Sequence, residues 1–409
     1  MMRPEFLDID RIIKDKSILR LFDAVHDYGG ALRFVGGAVR DALVGLEGSE
    51  IDLATDLTPD EFIEACNEKG IKTISLGLKF AKTGVAIGGH IFEVSSLHKT
   101  LPNDSKFSDF SFTDDWNADA ANRDLTINAV YADEDGNVFD YYNGIGDLEN
   151  GVVRFIGNAT QKIMEQPIRI MRFFRFYSAF SKTDPDLKSL KACVENRELL
   201  KTVAIEQIRD EFFKILATKN AATVLKMMVE NDILSFILPQ KINDKALKNL
   251  DTLVRFNAFE ADVIRRLFVL YEPDQMLSES LATRLKLTKL QKTKLINFAR
   301  FAFDGEKFDD MDYIKRVIFS HDKEFVKDKI LICLALKGNV DINLNPLFDQ
   351  IDALEIPVFP LNGKDLIELG MIDCSPIKEI LGALKTLWID SNFTLSAQSL
   401  KAEALKLIK

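Results

Sequence analysis

The sequence is poor in cysteine and histidine, and neither residue type recurs at the spacing of a metal site. The four cysteines, Cys66, Cys193, Cys333 and Cys374, lie far apart, and the four histidines are equally scattered. Structural zinc sites place Cys and His in close pairs along the chain. We therefore predict reduced thiols in a reducing compartment, the cytoplasm, and no zinc site.

Long apolar runs are also missing from the sequence. No stretch of about 20 apolar residues would cross a bilayer, and no apolar secretory signal opens the chain. Hydrophobic residues make up 47% and charged residues 28% of the 409 residues, which is ordinary for a globular protein. We expect no membrane contact and, from the length, several compact units.

Positive charge is scarce overall, because 53 Lys and Arg residues face 63 Asp and Glu residues and give a net charge of −10. An acidic chain argues mildly against a nucleic-acid partner, since phosphate contacts require Lys and Arg. It does not exclude one, because a local basic surface binds RNA when the acidic residues lie elsewhere or hold metal ions.

The first ~150 residues differ in pattern from the remainder of the chain. Short β-like runs alternate there with helical stretches, whereas from about residue 151 apolar residues recur at helical spacing. We predict strands at residues 31–35, 84–87, 90–97, 125–131 and 137–141. We predict helices at residues 18–28, 59–69, 163–180, 187–194, 205–216, 221–238, 245–254, 261–271, 281–303, 313–320, 324–336, 363–369 and 377–389. The pattern indicates a mixed α/β head followed by a long helical arm.

Two adjacent glycines, Gly36 and Gly37, follow an apolar strand and open a helix. Without a Cβ, the backbone there can turn sharply and approach a ligand closely. The free N–H groups of the helix start, together with Arg40, can bind a phosphate. A plain strand-to-helix turn explains the same local sequence, so this segment alone leaves both readings open.

Acidic residues follow the glycine segment. Glu50 and Asp52 are two residues apart, so on a strand both carboxylates would point to the same face. Glu93 lies in an apolar run, where an unpaired carboxylate is costly. Mg²⁺ takes its oxygen ligands from one or two carboxylates and from substrate phosphates. These residues are candidate metal ligands, and a solvated turn and an exposed edge strand are the alternatives.

Four ordered motifs extend this pattern along the chain. They are residues 35–41 with 51–55, residues 122–129, residues 140–148 and residues 165–176. Their order and spacing resemble those of the class II tRNA nucleotidyltransferase/poly(A) polymerase family. Segment 122–129 is similar to that family's Arg-Arg-Asp-Phe-Thr-Ile-Asn-Ala motif, and segment 165–169 is similar to its Glu-Asp-x-x-Arg motif.

The resemblance implies a reaction and a set of residue roles. The family transfers nucleotides from CTP and ATP to an RNA 3′ end without a template, and tRNA is the expected partner. The implied catalytic residues are Glu50, Asp52, Glu93 and Asp124, of which Glu50, Asp52 and Glu93 would hold Mg²⁺. The implied nucleotide-binding residues are Gly36, Gly37, Arg40, Arg123, Asn128, Glu165, Gln166, Arg169, Arg172 and Arg175.

The Glu-Asp-x-x-Arg motif of the family reads the incoming base. An acceptor there takes a hydrogen bond from the exocyclic amine of C or A, where G and U carry a carbonyl. Gln166 stands at the acid position; its amide oxygen still accepts, but its NH₂ end can also face a carbonyl. Arg169, Arg172 and Arg175 recur every third residue and so lie on one broad face of a helix. This face suits contact with a triphosphate or an RNA backbone. A solvated basic face is the alternative.

Further positions depart from the family pattern. Glu50 replaces the usual Asp and adds a methylene, which matters because Mg²⁺ demands near-ideal geometry. Asn122 replaces the first Arg of its motif and so removes one cation. Ala81-Lys82 takes the place of the family's Gly-Thr pair, and residues 98–100 take the place of its Arg-x-Asp segment. These changes leave open an active enzyme or a protein that retains RNA binding alone.

The resemblance also implies the fold: an α+β nucleotidyltransferase head, with a polymerase-β-like mixed sheet and helices, and then an all-α neck, body and tail. We assign residues 1–150 to the head, 151–238 to the base-reading neck, 239–340 to the body and 341–409 to a tRNA-binding tail. The expected reaction adds C, C and A to tRNA. Poly(A) polymerase, a CC-only or A-only enzyme and an impaired tRNA-binding remnant are the alternatives.

Overall fold

The computed structural model describes residues 6–13, 15–46, 50–75, 82–100, 110–256, 260–271, 274–338, 342–371 and 375–408. Ala81 and Cys374, which the sequence singled out, lie outside these residues. The chain forms two compact units. They are Met1–Lys241 with Thr283–Lys286, and Ile242–Ala282 with Leu287–Lys409.

A mixed sheet organises the first unit. Its strands and those of a smaller hairpin are β1 (Leu32–Val35), β2 (Asp52–Thr55), β3 (Lys72–Ser75), β4 (Lys82–Ile87), β5 (His90–Ser96), β6 (His98–Thr100), β7 (Phe110–Phe112), β8 (Val130–Ala132) and β9 (Val138–Asp140). The seven-stranded sheet has the order β3-β4-β5-β2-β1-β8-β9, and β6 pairs with β7 separately. β2 and β5 are parallel, and the other pairs are antiparallel.

Helices pack against this sheet, and the described elements that follow its last strand are helical. They are α1 (Leu19–Asp27), α2 (Gly37–Leu43), α3 (Pro59–Glu68), α4 (Trp116–Asn122), α5 (Gly144–Asn150), α6 (Ala159–Glu165), α7 (Arg169–Phe180), α8 (Leu187–Glu195), α9 (Ile205–Ala217), α10 (Ala221–Glu230), α11 (Asp244–Arg255), α12 (Val263–Val269), α13 (Gln275–Arg284), α14 (Lys289–Arg300), α15 (Met311–Ser320), α16 (Lys323–Lys337), α17 (Asn345–Ala353), α18 (Gly363–Glu368), α19 (Ile377–Asp390) and α20 (Ala397–Leu407). The predicted α+β head followed by a helical remainder is confirmed.

Side-chain alternation divides the core of the first unit between the two faces of the sheet. Phe34 and Leu53 belong to the cluster that α1 and α3 complete. Val35 and Ala54, one residue further along each strand, belong to a second cluster with Trp116 of α4. Because successive strand residues point to opposite faces, Asp52 lies on the same face as Ala54.

Several predicted elements differ from the structure. The continuous helix predicted at 163–180 is interrupted after Glu165, because Pro167 lacks an N–H and disfavours helical geometry at Gln166. The helix predicted at 281–303 is two helices, and Thr288 forms the capping box that starts the second. The strand predicted at 125–131 begins with a 3₁₀ turn, Thr126–Asn128. No helix within the described ranges is long and apolar enough to cross a membrane.

Candidate active site

One cavity of the first unit, about 730 Å³ in volume, collects nearly all the residues that the sequence singled out. It is lined by Gly36, Gly37, Arg40, Glu50, Asp52, Glu93, Arg123, Asp124, Asn128, Gln166, Arg169, Arg172 and Arg175. Glu165 does not line it but holds Arg169 from behind, with 2.8 Å between Oε2 and Nη1. The roles of these residues stay predictions; their convergence on one cavity is a structural fact.

A row of residues across the sheet forms part of the cavity wall. β-Sheet pairing places Tyr131 beside Val35, Val35 beside Asp52, and Asp52 beside Glu93. Because paired residues share a face, the two carboxylates point to the same side. Glu50 lies outside β2, which begins at Asp52, so the strand alternation expected for Glu50 and Asp52 does not occur. Parallel pairing of two strands, and not spacing along one strand, brings the acids together.

Gly36 occupies the junction between β1 and α2. Its φ of 70° lies in the left-handed region that favours glycine. A Cβ at this position would lie 3.9 Å from both the Nη1 atom of Arg123 and the Oδ2 atom of Asp52. The glycine therefore lets the main chain turn within reach of both charged groups.

Negative charge is concentrated at Asp52. The cavity walls partly shield its carboxylate from water, and this desolvation, followed by the charges of Glu93 and Glu50, raises the pKa of Asp52 against the opposing effects of Arg123 and Lys82. Lys82 forms an ion pair with Glu93. Two neighbouring carboxylates with excess negative charge fit a hard divalent cation. Within the part of the chain that the structure describes, no three His, Cys, Asp or Glu side chains are grouped as metal ligands, so Glu50 as a third ligand stays a prediction.

Asp124 also lines the cavity and is buried. Its Oδ1 atom accepts hydrogen bonds from the backbone N–H of Leu125 (2.8 Å) and from Nδ2 of Asn128 (3.0 Å). Its Oδ2 atom lies 2.8 Å from Nε of Arg172, in an ion pair whose N–H is not aligned for a hydrogen bond. Burial opposes ionisation, but Arg172 and the hydrogen bonds outweigh it and lower the pKa of Asp124.

Arg40 is held by protein groups. Its Nε and Nη2 atoms contact Asp41 Oδ1 at 2.8 and 2.7 Å, and its Nη1 atom donates to Asn128 Oδ1 at 2.7 Å. The guanidinium also packs over the rings of Phe176 and Phe180, at 4.8 and 4.7 Å. The contact between Arg40 and a nucleotide stays a prediction; the contacts in the structure fix the turn that carries Gly36.

The arginines of α7 are also fixed. Arg169 donates from Nη1 to the carbonyl of Lys162 (2.9 Å) and from Nη2 to that of Asn122 (3.0 Å). Arg175 donates to Glu211 of α9 at 3.0 Å. Gln166 stands exposed in the break between α6 and α7 and lines the cavity beside them. The sequence predicted only that this helix face is basic. In the structure, hydrogen bonds to other protein groups orient the guanidinium groups of Arg169 and Arg175.

The cavity differs in charge from the whole chain. Of the described residues that line it, seven are Lys or Arg and five are Asp or Glu, although the whole chain carries a net charge of −10. Among the seven is Lys214 of α9, which sequence reasoning missed, as it missed Asp119, Tyr131 and Glu211. The cavity therefore has the local positive charge that binding of phosphates requires.

Comparison with known proteins shows the family of this chain. The Poly A polymerase head domain model matches residues 32–154, and a model described as the probable RNA and SrmB-binding site of polymerase A matches residues 184–244. The mitochondrial CCA tRNA nucleotidyltransferase 1 of Homo sapiens is 31% identical over 396 residues, covering 92% of this chain and 86% of the relative. The CCA-adding enzyme of Ligilactobacillus salivarius is 25% identical over 403 residues, 96% of this chain and 97% of the relative.

Solved structures share the fold. The Bacillus stearothermophilus CCA-adding enzyme in complex with CTP aligns with a TM-score of 0.77 at 22% identity, covering 96% of this chain and 97% of that one. The Thermotoga maritima enzyme with tRNA aligns with a TM-score of 0.67 at 20% identity, covering 98% and 99%. By sequence identity to relatives along most of its length, this protein belongs to the family of CCA-adding tRNA nucleotidyltransferases.

Proposed function

We propose that this protein adds C, C and A from CTP and ATP to the 3′ end of tRNA without a nucleic-acid template. The observation that carries the proposal is the single cavity that joins the carboxylate pair, the Arg123–Asp124 motif and the α7 arginines. Relatives named for CCA addition, and neighbours solved with CTP and with tRNA, support the same reaction.

Members of this family are metal-dependent, and we propose Mg²⁺ as the ion. Asp52 and Glu93, with Glu50 nearby, would hold it, since carboxylate oxygens are the ligands that Mg²⁺ prefers. When bound, Mg²⁺ would make the RNA 3′-hydroxyl a better nucleophile and stabilise the leaving pyrophosphate.

The protein's own cations would bind and orient the substrates. Arg123 projects from the wall next to Gly36 and would contact the sugar and phosphates of the nucleotide. Arg172 and Arg175 of α7 and Lys214 of α9 line the same cavity, where they would contact the triphosphate or the RNA backbone. Because carboxylates hold the arginines, these contacts need little reorganisation when substrate binds.

Base selection would take place in the break between α6 and α7. The amide oxygen of Gln166 would accept from the exocyclic amine of C or A. Arg169 beside it is fixed by Glu165 and two carbonyls, so it would present a rigid donor edge. We further propose that the neck, 151–238, carries base reading, that the tail, 341–409, binds tRNA, and that the protein is cytoplasmic.

Extension of a tRNA transcript that lacks its terminal CCA, resolved at one nucleotide, tests the proposal. With Mg²⁺, CTP and ATP, we expect three added nucleotides and then arrest. Long A tails would instead identify a poly(A) polymerase, the activity for which the matched head model is named. Arrest after CC, or addition of A alone, would indicate a partial enzyme.

Asp52→Ala tests the assignment of Asp52 as a metal ligand. Removing this carboxylate leaves Glu93 without its neighbour across the β2–β5 pair. We expect loss of extension with nearly unchanged tRNA binding in a gel shift. Extension by the variant comparable to that of the wild type would contradict the assignment of Asp52. If the wild type itself binds tRNA but does not extend it, the protein is a tRNA-binding remnant.

A further inference from the structure

Two buried polar side chains hold Arg123 in the wall of the cavity. Its Nε atom donates to the hydroxyl of Tyr131 at 3.0 Å, and its Nη2 atom lies 3.3 Å from Oδ2 of Asp119. The Tyr131 hydroxyl in turn donates to the same Oδ2 atom at 2.7 Å. The three groups form a closed triangle with a charge-assisted hydrogen bond along each of its three sides.

The triangle is built into the core and is not a surface contact. Tyr131 is fully buried in β8, and its ring packs edge-on against Trp116 at 5.5 Å. Asp119 is buried in α4, one helical turn before Arg123. Its other oxygen, Oδ1, faces Nδ1 of His98 at 3.8 Å. Burial disfavours a charged guanidinium, but Tyr131 and Asp119 outweigh this effect and raise the pKa of Arg123.

The remaining nitrogen of Arg123 faces the substrate side. Nη1 makes no hydrogen bond to any of the described residues and lies 3.9 Å from the Cβ position of Gly36. Tyr131, Val35 and Asp52 are neighbours in one cross-strand row, so the strands that place the metal-binding acid also place the tyrosine. Sheet register therefore fixes the distance between the held guanidinium and the carboxylate pair.

We propose that Asp119 and Tyr131 are positioning residues that aim the Nη1 edge of Arg123 at the incoming nucleotide. The inference rests on the proposed function and deepens it. A free arginine side chain has many rotamers, and ordering it on binding costs conformational entropy. The triangle removes that cost beforehand. Arg123 then serves CTP and ATP alike, because the sugar and phosphates that it would contact are common to both nucleotides.

Tyr131→Phe and Asp119→Asn test the proposal in the full-length protein. Tyr131→Phe removes the hydroxyl and both of its contacts in the triangle. Asp119→Asn removes the negative charge that accepts from Arg123 and Tyr131, and each variant keeps the shape of the side chain. We expect KM for CTP and for ATP to rise about tenfold, equally for both nucleotides, with kcat reduced less than about threefold. Two variants are used because Asp119→Asn disturbs a buried charge, whereas Tyr131→Phe does not.

A double-mutant cycle separates positioning from general structural support. In an Arg123→Lys background, the guanidinium that Tyr131 holds is absent, so adding Tyr131→Phe should change KM less than twofold. Tyr177→Phe is the matched control, because Tyr177 is also a buried residue and does not line the cavity. Its hydroxyl donates to the Thr183 carbonyl at 3.0 Å. It should leave both KM values unchanged.

The outcomes distinguish this inference from the proposed function. An equal rise of KM in the wild-type and Arg123→Lys backgrounds, or a fall of kcat with unchanged KM, would overturn the positioning role. So would a rise for one nucleotide alone. If the wild type extends no tRNA, the proposed function fails, and equilibrium titration of CTP against the same variants still tests the triangle.

Discussion

At the scale of single residues, each arginine that lines the cavity has an acidic neighbour. The pairs are Arg40 with Asp41, Arg123 with Asp119, Arg169 with Glu165, Arg172 with Asp124 and Arg175 with Glu211. A guanidinium held in this way loses little entropy when an anion binds. The acidic residues near the site therefore do not simply cancel its positive charge; they fix the directions in which that charge is presented.

Gln166 supports a prediction about base selection. Its NH₂ end can rotate toward a carbonyl, so the wild type should discriminate imperfectly against UTP. Gln166→Asp leaves only hydrogen-bond acceptors at this exposed position in the cavity. The carbonyl of UTP would then face a carboxylate that has no donor to pair with. We expect preference for CTP over UTP, measured as the ratio of kcat/KM values, to rise about tenfold.

Gln350→Asp is the matched control for this change. Gln350 is exposed on α17 in the second compact unit, so the same substitution there should not alter the CTP/UTP ratio. An unchanged or lower ratio for Gln166→Asp would remove Gln166 from base reading.

Cys66 gives a prediction about pH. Burial in the sheet core raises the pKa of this thiol from 9.0 to about 11. Between these pH values the unfolded chain loses the thiol proton and the folded chain keeps it, so the free energy of unfolding falls as pH rises. Cys66→Ala should flatten this fall in urea titrations. Ile71→Val removes a methylene from the same core without a titrating group and should keep the wild-type slope.

At the scale of elements, sequence patterns locate the long helices and several strands of the sheet, but not every strand or every boundary. Period-based reasoning finds β5 and α9 because their apolar spacing is regular, and it joins α6 to α7 because the spacing continues across Pro167. It misses β2 and β3, which are short, and the β6–β7 hairpin, in which Lys99 faces Ser111. Such strands owe their conformation to pairing partners more than to their own sequence.

The site shows the same limit. Motif residues such as Arg123, Asn128 and Arg169 are recognised because each lies in a short segment that resembles a family motif. Tyr131 and Glu211 are not, since each becomes relevant through a partner supplied by another strand or helix. A tyrosine in an apolar strand is ordinary core until the register places its hydroxyl beside an arginine.

Gly144 supports a prediction about one element of the site. It opens α5, and a Cβ there would lie 2.2 Å from the backbone carbonyl oxygen of Thr126. Thr126 begins the 3₁₀ turn that carries Asn128 beside Asp124. Since backbone cannot yield as a flexible side chain can, we expect Gly144→Ala to destabilise the protein by about 1–3 kcal/mol and to weaken CTP binding, measured by denaturation and titration.

Gly382→Ala is the matched control with the opposite expected sign. This glycine lies inside α19, and nothing is within 4 Å of its Cβ position. Alanine has the higher helix propensity, so the change should stabilise the second unit by about 0.5–1 kcal/mol without altering CTP affinity. Equal CTP affinity for the wild type and Gly144→Ala would show that α5 does not support the site.

At the scale of the whole molecule, charge and function are distributed unevenly. The chain is acidic, with a net charge of −10, yet the described lining of the cavity has more cations than carboxylates. Every described residue that lines the cavity belongs to the first compact unit. Nucleotide should therefore stabilise the first unit directly, whereas changes confined to the second unit should not affect nucleotide affinity.

Calorimetry of the full-length protein tests this division. A ligand that binds the folded state alone stabilises it by about 2.7 kcal/mol at 100 times its Kd. We expect two unfolding transitions, of which CTP with Mg²⁺ raises the one that Gly144→Ala lowers, while Gly382→Ala raises the other. The two glycine variants thereby assign the transitions without cutting the chain. A single transition that shifts in all three experiments would mean that the compact units unfold as one cooperative body, and that nucleotide binding stabilises the entire molecule.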